Sequence, residues 1–480
     1  MQNIKGQLRK YTIRKNLPLH SAIVGALLTG LTTVVLMSCM QRTTKVSLPL
    51  DTPVAFSDSG AQQAPGRWWT AFEDTALNTL VNQALRSNFD LETAWQRLRE
   101  AQAIVDRESS FLFPDLEAFL EGETGGRQEF ETFETTEQLR LGLTSTYEVD
   151  LWGRIGSGVD AEQYRAQATL ADYQTAVLSL SAEVVRTWYQ LMEARDQMAL
   201  LVEQIDTNEK VLNLLKSRFG SGQIRSVDIL RQRQLLESTR EQKIAVESEI
   251  QVLKHQLAVL LGRSPQEDID YASTRLPELP PLPKTGLPVE LVRRRPDVQS
   301  AYNQLLAADR DLAAAISNQY PRLTLSASIF SRSDDASNLF KDWAHSFAGN
   351  LLAPIFYGGR LGAEADRSEA VKMQRLYQYG QATLLAFQEV EDALIREKKQ
   401  SERINSLEEQ VSLARQSYEQ LRVEYLNGVS DYIDVLTALT DEQQLRRDLL
   451  SAKLVLLEFR IALYRALAGG FETERDAEQS

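Results

Sequence analysis

A chain of 480 residues with 43% hydrophobic and 25% charged side chains has the composition of folded protein. Its formal charge is −13, and beyond residue 38 there are 48 basic against 66 acidic side chains, or −18, which disfavours nucleic acid as a partner. One cysteine, Cys39, and three histidines, His20, His255 and His345, exclude a disulfide framework and leave no set of residues for a Cys/His metal site or a nucleophile–base pair.

The N-terminus is basic from Met1 to Lys15 and almost wholly apolar from Ala22 to Met37, the order of a secretory signal. It ends in Leu36-Met37-Ser38-Cys39, which resembles a bacterial lipobox, so Cys39 is the expected site of acylation. More than one acyl chain on that cysteine is what stable anchoring requires. Met40 follows; the lipoprotein sorting rule reads a residue other than Asp there as export to the outer membrane.

Gln41–Gly66 is polar and carries three prolines, the mark of an extended tether. Trp68-Trp69 opens a helical stretch, and Leu91–Phe111 forms a second helix that Pro114 stops. The period then changes to two. Leu139, Leu141, Leu143, Ser145, Tyr147 and Val149 share one face, against Arg140, Gly142, Thr144, Thr146 and Glu148, the length and alternation of a tilted membrane strand. Leu116–Glu121 alternates too, and Gly122–Gln138 is expected to be the loop between them. After Gly153-Arg154 a run without Gly or Pro, Val159–Phe219, would reach ~92 Å as helix. It breaks at Gly220-Ser221-Gly222 and resumes to Leu261, an antiparallel helical hairpin with Asp228 in its second arm.

Ser264–Pro288, with six prolines, is the linker to a second copy of the same plan. At an offset of 207, Asp90, Ala94, Leu98, Pro114 and Leu116 meet Asp297, Ala301, Leu305, Pro321 and Leu323. At 206, Gly153-Arg154, Gly222, Asp228 and Arg240 meet Gly359-Arg360, Gly428, Asp434 and Arg446. The chain thus divides into a signal (1–38), a lipidated tether (39–66), a first repeat (67–263, strands about 115–121 and 139–149, turn near 220–222), a Pro-rich linker (264–288), a second repeat (289–470, strands about 323–331 and 346–356, turn near 427–431) and a polar tail (471–480). Four strands cannot close a membrane barrel, since about eight is the smallest number that does. Several copies must pool them: three give twelve strands and twelve long helices. Arg293-Arg294-Arg295 reads as a solvated run, Trp68 and Trp69 as packing anchors.

The set Cys39, Trp68-Trp69-x-x-Phe72, Tyr147–Gly153, Leu287-Pro288, Arg295-Pro296-Asp297, Tyr320-Pro321, Pro354–Gly359 and Tyr425-x-x-Gly428 with Asp431-Tyr432 and Asp434-Val435-Leu436 resembles the TolC/OprM-type outer membrane factors, in their NodT-like lipoprotein branch. The resemblance implies a mainly α protein with a transmembrane β-barrel, a homotrimeric α-barrel/β-barrel channel in the outer membrane. It implies a passive exit duct, not an enzyme, without cofactor beyond the lipid on Cys39, working with a periplasmic adaptor protein and an inner-membrane RND pump. At its closed periplasmic tip it places Tyr425, Ile433, Asp434 and Thr437 as gate candidates beside the hairpin-turn residues Gly220, Gly222, Asp228, Gly428 and Asp431. The second acidic gate position of the family is Thr437 here, and Ser430 lacks the basic character some members show. Asp228 and Asp434 each also suit a helix cap. Two other readings are the exit duct of a type I protein-secretion system and a lipid-anchored periplasmic coiled-coil scaffold.

Overall fold

Each half of the chain passes from strand to helix at a glycine with left-handed backbone, Gly153 (φ 71°) and Gly359 (φ 85°), where a β-carbon would be strained. The computed structural model describes residues 53–129, 132–267 and 276–471. In chain order it contains a 3-10 turn at Trp68–Phe72, helices α1 (Thr75–Ser87) and α2 (Phe89–Ser110), strands β1 (Asp115–Glu129) and β2 (Thr132–Val149), and helices α3 (Arg154–Gly220) and α4 (Ser226–Leu260). The second half contains α5 (Pro288–Arg294), α6 (Pro296–Ser317), strands β3 (Arg322–Ser333) and β4 (Trp343–Leu352), and helices α7 (Arg360–Leu426) and α8 (Tyr432–Leu467). The signal and lipobox, including Cys39, lie outside the described residues.

Helices α3 and α7 are each 67 residues, ~100 Å at 1.5 Å per residue. The first begins five residues earlier than the glycine-free run suggested, in spite of Gly156 and Gly158. The Asp150 carboxylate accepts from the backbone N–H of Ile155 (3.1 Å) and of Gly156 (2.7 Å), satisfying donors that an uncapped helix start would leave bare. Side by side, the long helices run in the order α4–α3–α8–α7.

The strands form one antiparallel sheet in the order β1–β2–β3–β4, with β1 and β4 as open edges. The expected loop Gly122–Gln138 is instead hairpin: every residue from Gly122↔Leu139 to Glu129↔Thr132 is paired. Its residues lack an apolar face, but ladder bonds are made by the backbone and do not depend on one. At the other edge β4 stops at Leu352, short of the expected 356, because Pro354 has no N–H to give. The alternation puts Leu116, Ala118 and Leu120 in line with Leu141, Leu143 and Tyr147, and with Leu323, Leu325 and Ile329, on a single apolar face.

Halfway along α3 an apolar cluster gathers Trp68, Trp69, Phe72, Val184, Trp188, Tyr189 and Tyr464, and the two tryptophans Trp68 and Trp69 are 1% and 0% exposed. The tether and the linker meet at this waist. Gln62 and Pro283 form a parallel bridge, with Gly60 N–H donating to Pro283 O at 3.1 Å. Thr285 N–H donates to Ser59 Oγ at 3.2 Å, and Phe56 packs edge-on against Phe387 of α7. The described parts of the two segments, residues 53–66 and 276–288, are therefore not free spacers. Of the Arg293–Arg295 run only Arg293 is exposed to solvent as expected. Arg295 is 7% exposed and pairs with Asp297 and with Glu389 (2.8 Å), while Arg294 donates to Thr285 O; the packing of α6 against α7 draws them in. His255 stays exposed on α4.

Candidate conduction path and periplasmic entrance

The polar face of the sheet carries Glu117, Arg140, Thr144, Thr146, Ser326 and Ser328, suited to water, while the other face is suited to lipid. Where β3 ends, midway along β2, the Arg140 guanidinium lies between two rings, 5.0 Å from Phe119 and 4.3 Å from Phe330, and reaches Glu121 at 3.5 Å. Ser328 and Ser346 join by their hydroxyls at 2.8 Å. Among the described residues no helix is long and apolar enough to cross a membrane.

At the far end of the long helices the two hairpin turns share one geometry. Gly222 (φ 74°) and Gly428 (φ 75°) take the left-handed position after each helix. Gln223 N–H donates to Arg218 O at 3.0 Å and Val429 N–H to Glu424 O at 2.9 Å, the six-to-one bond of a glycine C-cap. Gly220 is the last helical residue, not the turn itself.

The two repeat-related aspartates part company here. Asp228 is 5% exposed; its carboxylate accepts from Arg225 N–H at 3.4 Å and lies 3.9 Å from both the Arg225 and the Arg231 guanidinium. That is a cap in a charged setting. Asp434 is exposed at the third position of α8, and its backbone N–H donates to Asp431 O at 3.2 Å. Asp431 holds the N-cap position of α8 without a side-chain cap bond. Ile433 is 39% exposed beside Asp434, and Thr437 turns its hydroxyl back to Ile433 O at 2.9 Å. Tyr425 is half-buried, its ring 5.6 Å from Tyr432 and covered by Arg218 at 4.8 Å. Burial pushes the Tyr425 and Tyr432 hydroxyls above their ordinary range.

Behind the tip runs a ladder that the sequence reading did not pick out. Tyr432 O–H donates to Gln232 Oε1, and Gln232 Nε2 donates to Asn208 O at 3.0 Å. Asn208 donates to Thr239 Oγ1 (3.1 Å), Gln443 to Asn208 Oδ1 (3.1 Å), Gln204 to Gln443 O (3.0 Å) and Gln197 to Arg447 O (2.9 Å). These side chains are nearly all buried, so each bond removed would leave an unpaired polar group. The available signal was amide residues at Gln197 and Gln204, seven apart on an otherwise apolar stripe of α3. Beside the ladder Arg446 grips Glu203 at 2.9 and 3.0 Å and reaches Glu442 at 3.5 Å.

A two-faced sheet with open edges, carried on ~100 Å helices whose hairpin turns sit at the opposite end, defines a membrane channel with a long helical extension. The two repeats coincide with the two stretches, residues 80–263 and 287–469, that match the family model described as outer membrane efflux protein. The chain belongs to the outer membrane efflux protein family.

Its relatives include the pyoverdine export outer membrane protein OpmQ of Pseudomonas aeruginosa, 30% identical over 448 residues, covering 89% of this chain and 94% of the relative. The cation efflux system protein CusC of Escherichia coli (strain K12) is 26% identical over 435 residues, covering 88% and 94%. Among solved structures, the outer-membrane channel OprN superposes with a TM-score of 0.83 at 28% identity, covering 88% of this chain and 99% of that one. The protein is thus a channel of the cell outer membrane that extends into the periplasm and serves efflux passively; it is not an enzyme.

Proposed function

We propose that three copies of this chain form the exit duct of a tripartite pump that expels small molecules or ions, with a periplasmic adaptor protein and an inner-membrane RND pump as partners. The observation that carries this is the pair of open edges. β1 and β4 pair on one side only, and α4 and α7 flank the helical layer with exposed Leu230, Ile244, Val252 and Val259 on the one and Tyr377, Leu384 and Leu385 on the other. An unpaired strand edge in lipid is costly, so closure by further copies relieves it. Relatives named for pyoverdine, cation and solvent export favour small cargo over protein secretion. Acylation of Cys39 would add a second hold on the outer membrane. At the entrance, the exposed carboxylate of Asp434 favours a gate role over a cap, whereas Asp228 is the cap.

Light scattering of the detergent-solubilised protein tests the reading. A trimer is the expected result; a monomer whose strands are still protected from exchange would overturn it. Mass spectrometry of the mature N-terminus tests the lipid, and an unmodified Cys39 would remove it.

A further inference from the structure

Inside one chain the base of the sheet between β2 and β3 is tied by a small set of contacts. Trp152 and Tyr320 stack with ring centroids 5.0 Å apart. The Trp152 indole N–H donates to Pro321 O at 2.7 Å, and the Ser317 hydroxyl donates to Trp152 O at 2.9 Å. Tyr320-Pro321 leads into β3, and Trp152 follows β2.

The internal repeat carries these positions elsewhere. At the offset of 207, Ser317, Tyr320 and Pro321 become Ser110, Phe113 and Pro114, which lead into β1; at 206, Trp152 becomes Gly358, next to Tyr357, which follows β4. But β1 and β4 are the two opposite edges of the sheet, so the repeated junction has no way to form within one chain. Its side chains are bare: Phe113 is 69%, Ile355 91% and Phe356 87% exposed. A second pair of repeat-related contacts points the same way. Where α3 meets α6, Arg165 pairs with Asp311; the equivalent positions on α7 and α2 are Val371 and Ile104, an apolar pair in place of an ionic one. Both are only half-covered in one chain.

We propose that these two bare junctions close on each other between copies. Phe113 of one copy packs on the partner subunit's Ile355, Phe356 and Tyr357, the between-chain counterpart of Tyr320 on Trp152, with α2 lying along the partner's α7 above it. The partner is a second copy of this chain, and the contact continues the strand pairing that closes the barrel; it rests on the trimer reading above. Exposed aromatic groups at this height would also suit a membrane interface. The repeat favours a protein contact, because with its neighbour in place Tyr320 stacks on Trp152 and is 46% exposed, against 69% for Phe113.

The test combines Phe113→Cys with Tyr357→Cys in the full chain, bridged by a short bifunctional maleimide in outer-membrane vesicles and run on a denaturing gel. Covalent dimer and trimer bands are expected from the double variant and from neither single variant. A control pair, Trp152→Cys with Tyr320→Cys, bridges within one chain and adds no such bands. A trimer by light scattering that yields no cross-linked bands overturns this contact and leaves the trimer standing; loss of the trimer in the unaltered protein overturns the reading beneath it. A nitroxide at Phe113→Cys supplies the other arm. It is expected to be shielded from membrane-dissolved oxygen in the trimer, and strong relaxation by oxygen would make Phe113 a lipid-facing anchor and overturn the proposal.

Discussion

Arg460 and Glu397 meet as a buried bidentate pair, guanidinium nitrogens 2.8 Å and 2.6 Å from the two carboxylate oxygens. Arg460 is 2% exposed, and its remaining nitrogen donates to the carbonyls of Pro280 and Pro281. One side chain therefore fastens α8 to α7 and both to the linker between the repeats. Replacing Arg460 by Leu strands a buried carboxylate, a loss of ~3–5 kcal/mol. Thermal unfolding should show a large drop for Arg460→Leu and partial recovery when Glu397→Leu is added.

The zipped tether and linker depend on a glycine. A β-carbon at Gly60 would sit 1.6 Å from Leu282 O, so Gly60→Ala must push the two segments apart. A cost of about 1–3 kcal/mol is expected. Limited proteolysis should cut between residues 276 and 287 faster in the variant than in the parent protein.

At the entrance, the two aspartates should fail differently. Asp228→Ala removes a cap and should lower stability by ~1 kcal/mol with conductance unchanged. Asp434→Ala should leave the melting temperature alone and reduce cation preference, because three carboxylates around a narrow axis draw cations. Thr437→Asp should increase that preference, and Tyr425→Ala or Ile433→Ala should raise leak conductance. Single-channel recordings read all of these. A melting drop in Asp434→Ala with selectivity unaltered would make it a cap.

Acid should act on the seam behind the tip in two stages. Burial holds the Glu442 carboxyl above its ordinary value, opposed by Arg446, whereas the hydrogen bond from Arg446 holds Glu203 below it. A raised acid is penalised when ionised, so the protein gains stability from Glu442 as pH falls from neutrality toward its ordinary value of 4.5. A lowered acid contributes above 4.5 and loses that contribution as pH falls through its folded value, so Glu203 withdraws support below 4.5. Melting temperature against pH should therefore rise slightly and then fall. Glu442→Gln should remove the rise, and Glu203→Gln should flatten the fall.

Much of this was legible in the residues. The period of two at Leu139–Val149 and at Leu323–Phe330, the glycine breaks and the offset of about 206 all report patterns that recur along the chain. Gly122–Gln138 was not, since a hairpin held by backbone pairing leaves no alternation to read. Arg295 and Arg460 were also hidden, because their burial depends on Glu389 and Glu397, which only the packing of α7 brings beside them. At the tip the positions were legible but the roles were not. Asp228 and Asp434 look alike in sequence, and only the bond from Arg225 N–H to the Asp228 carboxylate tells the cap from its counterpart.

The joinery of the chain is all at one level. Trp69 and Phe471 touch, with rings 5.1 Å apart, and the linker between repeats crosses the same waist. The described sheet and hairpin turns lie at the two ends, away from this level. A cut in the waist linker would leave each hairpin covalently whole.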